Sequence, residues 1–404
     1  MDSFNASKWL KIAVFNLIFV AIAGCLMRYK ILYSFPLLQQ KHVLHSHSHF
    51  AFSGWISLAI MAFMIQFLSK RISIHSKKYQ LFLKIHLLSS YGMLIAFAFQ
   101  GYGFFSISFS TLSIITNLLF AIQYWKDLNR IEIKSVSSSW FKAALFFSVF
   151  SSIGAFSLAY LMANKIAHQN WYLLAIYFFL HFQYNGWFIF SCFGFINEKL
   201  EKAGSSKVVL IRVLKLFTFA CIPAYFLSAL WLNLPIWLFI IVIFASVSQL
   251  LGWIIFVKEI FTRKQYLTPL LINNSWFYFL LVLIAMSIKV LLQLGSTIPW
   301  LSTLAFGFRP IVIGYLHLVL LGIVTLFLLS NYLSNQDFEF KKSIQAGLNI
   351  FVLGFFLNEI ILLIQGSSAI KYFSVPFANE GLLSASALML LGISIIARGF
   401  IRSK

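Results

Sequence analysis

The chain has 404 residues, of which 61% are hydrophobic, 18% are aromatic and only 10% are charged. Soluble globular domains average roughly 45–50% apolar and about 25% charged residues, so this composition excludes a soluble enzyme and a secreted disulfide scaffold. The formal net charge is +21, but the basic residues occupy short loops between apolar blocks. That distribution excludes a nucleic-acid-binding patch and indicates a protein embedded in a lipid bilayer.

Hydropathy predicts the number of membrane-spanning helices. Windows of about 19 residues, the length that crosses a hydrocarbon core of about 30 Å, give twelve apolar segments. Two boundaries are weakly marked, at positions 101–103 and at the polar residues 273–275. The predicted segments are 9–27, 47–68, 82–104, 106–125, 141–163, 171–195, 209–231, 234–257, 274–295, 310–333, 344–365 and 381–400.

The 31 Lys and Arg residues predict the orientation in the membrane. Both termini and the loops after even-numbered helices, together with the adjoining two turns of the helices, hold 24 of them, the loops after odd-numbered helices hold 6, and Lys289 lies deep inside the ninth segment. Because basic loops stay in the cytoplasm, both termini are predicted to be cytoplasmic, which requires an even number of helices. No long polar insert interrupts the segments, so we predict a single transmembrane domain over 1–404.

Three of the nine histidines occur in one local pattern. His49, His181 and His317 are each followed five residues later by a glycine, and they lie in the second, sixth and tenth predicted helices. The intervals of 132 and 136 residues predict a four-helix unit repeated three times. A glycine at this offset leaves a gap where a flat group or a neighbouring helix can approach closely. The three glycines are Gly54, Gly186 and Gly322.

The predicted topology places all three histidines in the outer half of the bilayer, where ionisable side chains are costly and mark functional sites. Lys289 and Glu359 share this depth. Each also has a purely structural explanation. Lys289 could extend to the outer interface, and Glu359, which follows Asn358, could hydrogen-bond between helices.

Two of these motifs resemble a known family. His47-Ser48-His49-Phe50-Ala51-Phe52-Ser53-Gly54 resembles the His-x-His-x-Ala-Phe-x-Gly run of nitric oxide reductase large subunits, and His181-Phe182-Gln183-Tyr184-Asn185-Gly186 resembles their His-x-x-x-Glu-Gly run. These enzymes belong to the haem-copper oxidase superfamily, whose catalytic subunit I has twelve helices in three arcs of four. The resemblance therefore implies an all-α polytopic membrane fold with three pseudo-repeated arcs.

For a cofactor, the resemblance implies haem b. The second-helix histidine, which is His49 or His45 one turn earlier, and His317 would be its two axial ligands. Arg309, at the outer end of the tenth helix, would pair with a haem propionate. The glycines that follow His49 and His317 would leave room for the flat porphyrin.

The resemblance also implies that His181 would bind a second metal, either copper or non-haem iron, but the surrounding residues depart from the family pattern. The seventh predicted helix has no histidine where the family has a pair, Tyr315 replaces the first histidine of His-x-His, and Asn185 replaces the glutamate. The chain would then be a diverged relative without a complete haem–copper centre, acting in electron transfer or in binding or reduction of NO or oxygen. Its electron donor would be a cytochrome c or a quinol at a bacterial inner membrane.

Two other classes of function fit the same sequence. A metal-ion or small-solute transporter often has twelve helices and internal repeats, and His42, His45 and His49 form a helical stripe that could collect zinc or copper. A subunit without chemistry of its own in a respiratory complex is the third class. Two features favour the haem protein: a four-helix unit preserves membrane orientation between copies, and only Pro223 of the seven prolines lies well inside a predicted helix.

Overall fold

The computed structural model describes residues 4–271, 275–334, 342–370 and 373–401, and all side chains of these ranges except those of 303–306 and 401. Every regular element in the described ranges is a helix. Eleven helices are long and apolar enough to cross a bilayer, and one further span consists of two helices that meet at an angle of 45°. This agrees with the predicted all-α membrane fold, with twelve spans when the bent pair is counted as one.

The spans are named here in chain order. Between Thr262 and Ser275 the chain forms the short helix Lys264–Leu267 and the 3-10 turn Thr268–Leu270, and between Gly295 and Arg309 it forms the helix Pro299–Gly307. The spans are α1 (Ala6–Leu32), α2 (Gln40–Ser69), α3 (Ser76–Gln100), α4 (Phe104–Asn129), α5 (Val136–Ala163), α6 (Gln169–Lys202), α7 (Lys207–Cys221 with Pro223–Ala229), α8 (Ile236–Thr262), α9 (Ser275–Gly295), α10 (Arg309–Leu333), α11 (Lys342–Ile370) and α12 (Ala378–Ile401).

The chain divides into two compact units. Unit 1 comprises Met1–Ile131 and Asn335–Lys404 and therefore contains α1–α4 with α11 and α12. Unit 2 comprises Glu132–Ser334 and contains α5–α10. Each unit is a bundle of six spans, and the single domain over 1–404 stays a prediction.

The spans of unit 1 differ in burial. In its most apolar stretch 89% of α2 is buried, against 22% for α4. α1 packs on both α2 and α12. α11 and α12 approach to backbone contact, since a Cβ added to Gly347 would lie 2.7 Å from the Gly392 carbonyl oxygen. Such small residues allow close helix packing where no hydrophobic effect drives association.

A tight turn separates α3 from α4, as predicted at positions 101–103. Gly101 has φ +63°, a left-handed conformation that favours glycine and ends α3. The Ser106 hydroxyl donates to the Gly101 carbonyl oxygen at 2.6 Å and accepts from the Gly103 N–H at 2.8 Å. These bonds satisfy backbone groups that the helix ends would leave free.

Unit 2 holds α5 and α6 in close contact. A Cβ on Gly154 of α5 would lie 2.6 Å from the Ala175 carbonyl oxygen of α6, and one on Gly186 of α6 would lie 2.4 Å from Phe147 Cβ. The Glu201 carboxylate at the end of α6 accepts from the Val136 N–H at 2.7 Å, at the start of α5. Both ends of the helix pair are therefore fixed by short contacts.

Two spans differ from their predicted form, and the predicted start of a third cannot be compared. α2 begins at Gln40 rather than at position 47, because the His- and Ser-rich residues before that position lower the hydropathy of the window. α7 breaks between Cys221 and Pro223, since proline lacks the N–H of the helical ladder and its ring clashes with the preceding turn. The predicted start of α9 at position 274 lies outside the described residues.

Candidate functional site

Three spans leave α-helical geometry within two residues after the three motif histidines. π-helical segments run over Ala51–Ser57 in α2, Phe182–Phe188 in α6 and Leu318–Thr325 in α10. Within the described part of the chain, π-helical geometry occurs in these three places alone. The first begins two residues after His49, and the other two begin directly after His181 and His317. π-Bulges are rare in helices and are frequent at functional sites.

The histidines also occupy similar positions along their helices. His49 is the tenth residue of α2, His181 the thirteenth of α6 and His317 the ninth of α10. The sequence had placed His49 near the very end of its helix, and the earlier start at Gln40 corrects that. The glycine of each motif falls inside the π-helical segment, and all three glycines are buried.

In unit 1, side chains of flanking helices bond to the π-helical segment of α2. The Asn16 amide of α1 donates to the Gly54 carbonyl oxygen at 2.7 Å, and the Tyr91 hydroxyl donates to Asn16 Oδ1 at 2.7 Å. His86 Nε2 lies 3.1 Å from the Ser53 carbonyl oxygen. These three side chains could not be recognised from the sequence, because a polar residue in one helix carries no mark of its partner in another.

The His49 ring lies in an aromatic corner of unit 1. It stacks on Phe97 with 4.2 Å between ring centroids and 16° between ring planes. Its Nε2 atom is 3.5 Å from the Tyr102 hydroxyl, at the outer limit for a hydrogen bond. The ring is half-buried, so His49 is positioned by stacking and only weakly held through Nε2.

His45, the alternative ligand one turn earlier, is also near Tyr102. Their ring centroids are 4.7 Å apart, and His45 Nε2 is buried without a hydrogen-bond partner. His42 packs against Gly101, where an added Cβ would lie 2.5 Å from His42 Nε2. Among the described residues, no three His, Cys, Asp or Glu side chains converge in a way that could hold a metal ion. The predicted zinc or copper stripe is therefore not assembled in this conformation.

His181 of unit 2 has a different environment. It is 1% exposed, its Nε2 is 2.9 Å from the Cys221 carbonyl oxygen, and its Nδ1 is 3.1 Å from Asn185 Nδ2. A carbonyl requires a donor and an amide nitrogen requires an acceptor, so the ring is the neutral tautomer with its proton on Nε2. Because protein groups occupy both ring nitrogens, the arrangement does not fit copper or non-haem iron at His181.

One of the predicted site residues of α10 lies near the π-helical segment of α6. The Tyr315 ring is 6.4 Å from that of Tyr184, which belongs to the π-helical segment of α6. His317 is half-buried, and Gly322 is buried in the segment that follows it. Arg309 is exposed as the first residue of α10, where its guanidinium is accessible to an anionic group.

The two charged residues predicted at membrane depth belong to different units. Lys289 in unit 2 is 2% exposed, so its side chain lies in the interior of the protein, which disfavours the alternative that it extends to the outer interface. Glu359 in unit 1 accepts from Asn358 Nδ2 at 3.0 Å and interacts electrostatically with Arg28. Nothing in the sequence around Arg28 marks it as a neighbour of Glu359.

Comparison with protein-family models and with curated proteins finds no match for the chain. The features of the chain that bear on its function are therefore the spacing of the three histidine motifs, their π-helical segments and the chemistry of their ring nitrogens.

Proposed function

We propose that the chain is a haem-binding integral membrane protein of the haem-copper oxidase subunit I type, acting in electron transfer or in binding or reduction of NO or oxygen. One observation carries the proposal: α2, α6 and α10 each present a histidine, then a π-helical segment, then a buried glycine within that segment. Three unrelated helices would have no reason to share this order at a four-helix interval. The recurrence supports three related arcs of four helices.

The cofactor of the proposal is haem b, with His49 and His317 as axial ligands. His49 belongs to unit 1 and His317 to unit 2, and each is argued from its own setting. Both rings are half-buried, and His49 Nε2 has only a long contact to Tyr102, so a stronger partner could replace that contact. Bound haem would supply a one-electron carrier, and two neutral imidazoles hold its iron firmly.

The proposal does not include a second metal. His181 donates from Nε2 to the Cys221 carbonyl and accepts at Nδ1 from Asn185, so neither nitrogen is available as a ligand. His181 therefore acts as a structural link between α6 and the break in α7. The chain would transfer electrons or bind a gas at the haem without a haem–copper pair.

The proposed orientation follows from the basic loops, with both termini in the cytoplasm of a bacterial inner membrane. His49, His317 and Arg309 then lie toward the outer face. The exposed Arg309 guanidinium would pair with a haem propionate at that face. A cytochrome c or a quinol, which carry electrons at this face or within the bilayer, would be the electron donor.

Absorption spectra of the purified protein test the proposal. We expect narrow bands near 560 nm in the dithionite-reduced protein, and about one iron per chain. His317→Ala and His49→Ala should each abolish the low-spin spectrum, because iron would lose one of two axial ligands. His168→Ala, which alters an exposed histidine, is the matched control and should keep it. A full spectrum in His317→Ala would contradict the assignment.

One observation favours a second candidate, a metal-ion or small-solute transporter. α7 is broken between Cys221 and Pro223, and the freed backbone carbonyl of Cys221 bonds to His181. Transporters commonly build substrate sites from such interrupted helices near the bilayer centre. A colourless, iron-free protein that moves zinc or copper ions into proteoliposomes would make this candidate the correct one.

A further inference from the structure

Two basic residues lie within α7 on its exposed side. Arg212 and Lys215 are the sixth and ninth residues of this span, and both side chains are exposed. Ile211 and Phe219, each four residues away from Lys215, are 40% and 78% exposed, so Lys215 lies in an otherwise apolar stripe. At a rise of about 1.5 Å per residue, Lys215 is about 12 Å along the helix axis from Lys207, the first residue of α7. Long basic side chains at this depth extend along apolar surface to the level of the lipid headgroups.

α7 and α8 pack against each other in opposite directions. A Cβ added to Gly252 of α8 would lie 3.2 Å from Leu216 Cβ of α7. Later in α7, Ala220 belongs to a core cluster with Val242 and Ala245, which come earlier in α8. The start of α7 therefore lies beside the end of α8.

This antiparallel packing brings a third cation to the same height. Lys258 of α8 is exposed and follows the exposed Leu251 by seven residues, so both lie on the same side of the helix. Lys258 is about 9 Å past Gly252 along α8, and Arg212 is about 6 Å before Leu216 along α7, in the same direction across the membrane. The two cations therefore differ in height by only about 3 Å. The basic cluster is defined as Arg212, Lys215 and Lys258.

The carboxylates in the last turns of α6 and α8 have other partners. Glu259 pairs with Arg263 at 3.3 Å. Glu198 pairs with Lys202 at 3.1 Å, and the Glu201 carboxylate accepts from the start of α5. In the described part of the chain, the charged groups of the basic cluster form no hydrogen bond and no ion pair. The cluster is therefore open to an anionic partner from outside the protein.

We propose that the basic cluster binds the phosphate group of one anionic phospholipid, with the acyl chains packed on the exposed apolar side chains of α7 and α8. A guanidinium and two ammonium groups match the charge and the acceptors of a phosphate, and basic groups between spans are typical of anionic-lipid sites. Phe219 and Leu251 lie farther from the charged helix ends than the cations do, as the acyl chains of a lipid require. A free phosphate would leave this apolar surface unused, which favours the lipid. The inference does not rest on haem binding, because no residue of the cluster is a proposed haem ligand.

Lipid binding to the purified protein tests the proposal. The delipidated protein, in an uncharged detergent, is titrated with phosphatidylglycerol, and native mass spectrometry counts the lipids that each chain retains. We expect saturable retention of phosphatidylglycerol, whereas phosphatidylcholine, whose headgroup has no net charge, should be retained far less. Inorganic phosphate and glycerophosphate should not displace the lipid, because neither has acyl chains. Displacement by inorganic phosphate at equal concentration, or equal retention of both lipids, would overturn the proposal.

Substitutions in the basic cluster locate the site. Arg212→Gln, Lys215→Gln and Lys258→Gln should each weaken the binding of phosphatidylglycerol about fivefold, since every basic residue near an anionic headgroup contributes a similar amount. The chain with all three substitutions should retain about one phosphatidylglycerol fewer than the wild type at saturation. An unchanged lipid count in this triple variant would assign the binding to other basic residues and overturn the proposal.

Two further variants separate binding at the cluster from an effect of net charge. Lys165→Gln removes an exposed lysine that follows the far end of α5, and it should keep full retention of the lipid. Arg212→Lys keeps the charge and should lose less affinity than Arg212→Gln. All these variants should keep the helical circular dichroism of the wild type, because every substituted side chain is exposed. Equal losses of affinity in Lys165→Gln and Lys215→Gln would indicate a response to net charge alone and would overturn the proposal.

Discussion

His49 and His181 begin the same sequence motif in two different units, yet they are held in different ways. His49 is half-buried, stacks on Phe97 and has one long contact through Nε2. His181 is fully buried, and both of its ring nitrogens are hydrogen-bonded. The motif therefore specifies a position at the start of a π-helical segment, while the surrounding helices decide whether the ring is available to a ligand or joins two helices.

The largest expected difference in stability is between leucine variants of these two histidines in the haem-free protein. His181→Leu should destabilise the fold by about 2–3 kcal/mol, because the Cys221 carbonyl and the Asn185 amide would both be buried without a partner. His49→Leu should cost less than about 1 kcal/mol, since it loses one weak bond and keeps the packing against Phe97. Unfolding in denaturing detergent measures the free energy of unfolding of both variants. Equal losses of stability would contradict the proposed difference between His49 and His181.

The next largest loss of stability is expected when the Asn16 amide, which supports the π-helical segment of α2, is removed. Asn16→Leu should destabilise the protein by about 2 kcal/mol, because the Gly54 carbonyl loses its donor and the Tyr91 hydroxyl loses its acceptor. Asn164→Leu is the matched control, since Asn164 is exposed and bonds only to the carbonyl of Tyr160 in its own helix. The same unfolding measurement should give a loss near zero for the control.

The smallest difference in stability is expected between the alanine variants of the two segment glycines, Gly186 and Gly54. Gly186→Ala would bring a methyl group to 2.4 Å from Phe147 Cβ, an atom fixed to the backbone of α5, and should cost about 2 kcal/mol. Gly54→Ala would bring one to 2.6 Å from Cε2 of the Phe50 ring, which is buried but lies at the far end of its side chain and can shift further than a Cβ atom, and should cost about 1 kcal/mol. A larger loss for Gly54→Ala would show that the segment in α2 is the more tightly packed one.

Much of the fold could be predicted from the sequence, because a membrane span requires only composition over about 20 residues. The turn at positions 101–103 was recognisable from its two glycines, Gly101 and Gly103. The start of α2 was placed seven residues too late, since Gln40 to His47 is polar although helical. Hydropathy measures burial in lipid and does not register a polar first turn of a helix.

The site was only partly predictable. The spacing of His49, His181 and His317 was visible in the sequence, but the π-helical segments were not, because they depend on how carbonyl groups are bonded. The hydrogen bonds around the motifs also join residues far apart in the chain, with a separation of 38 residues for Asn16 and Gly54 and of 40 for His181 and Cys221. Neither pair has a sequence signature without knowledge of which helices touch.

The division of the spans between the two units has a consequence for biogenesis. Unit 1 is completed by α11 and α12, which leave the ribosome only after the whole of unit 2. Until then α1 lacks the helix α12 that covers one of its faces. A quality-control protease or an insertion chaperone would therefore meet a half-finished bundle during every round of synthesis, and ribosome stalling before α11 would leave that face of α1 exposed to lipid.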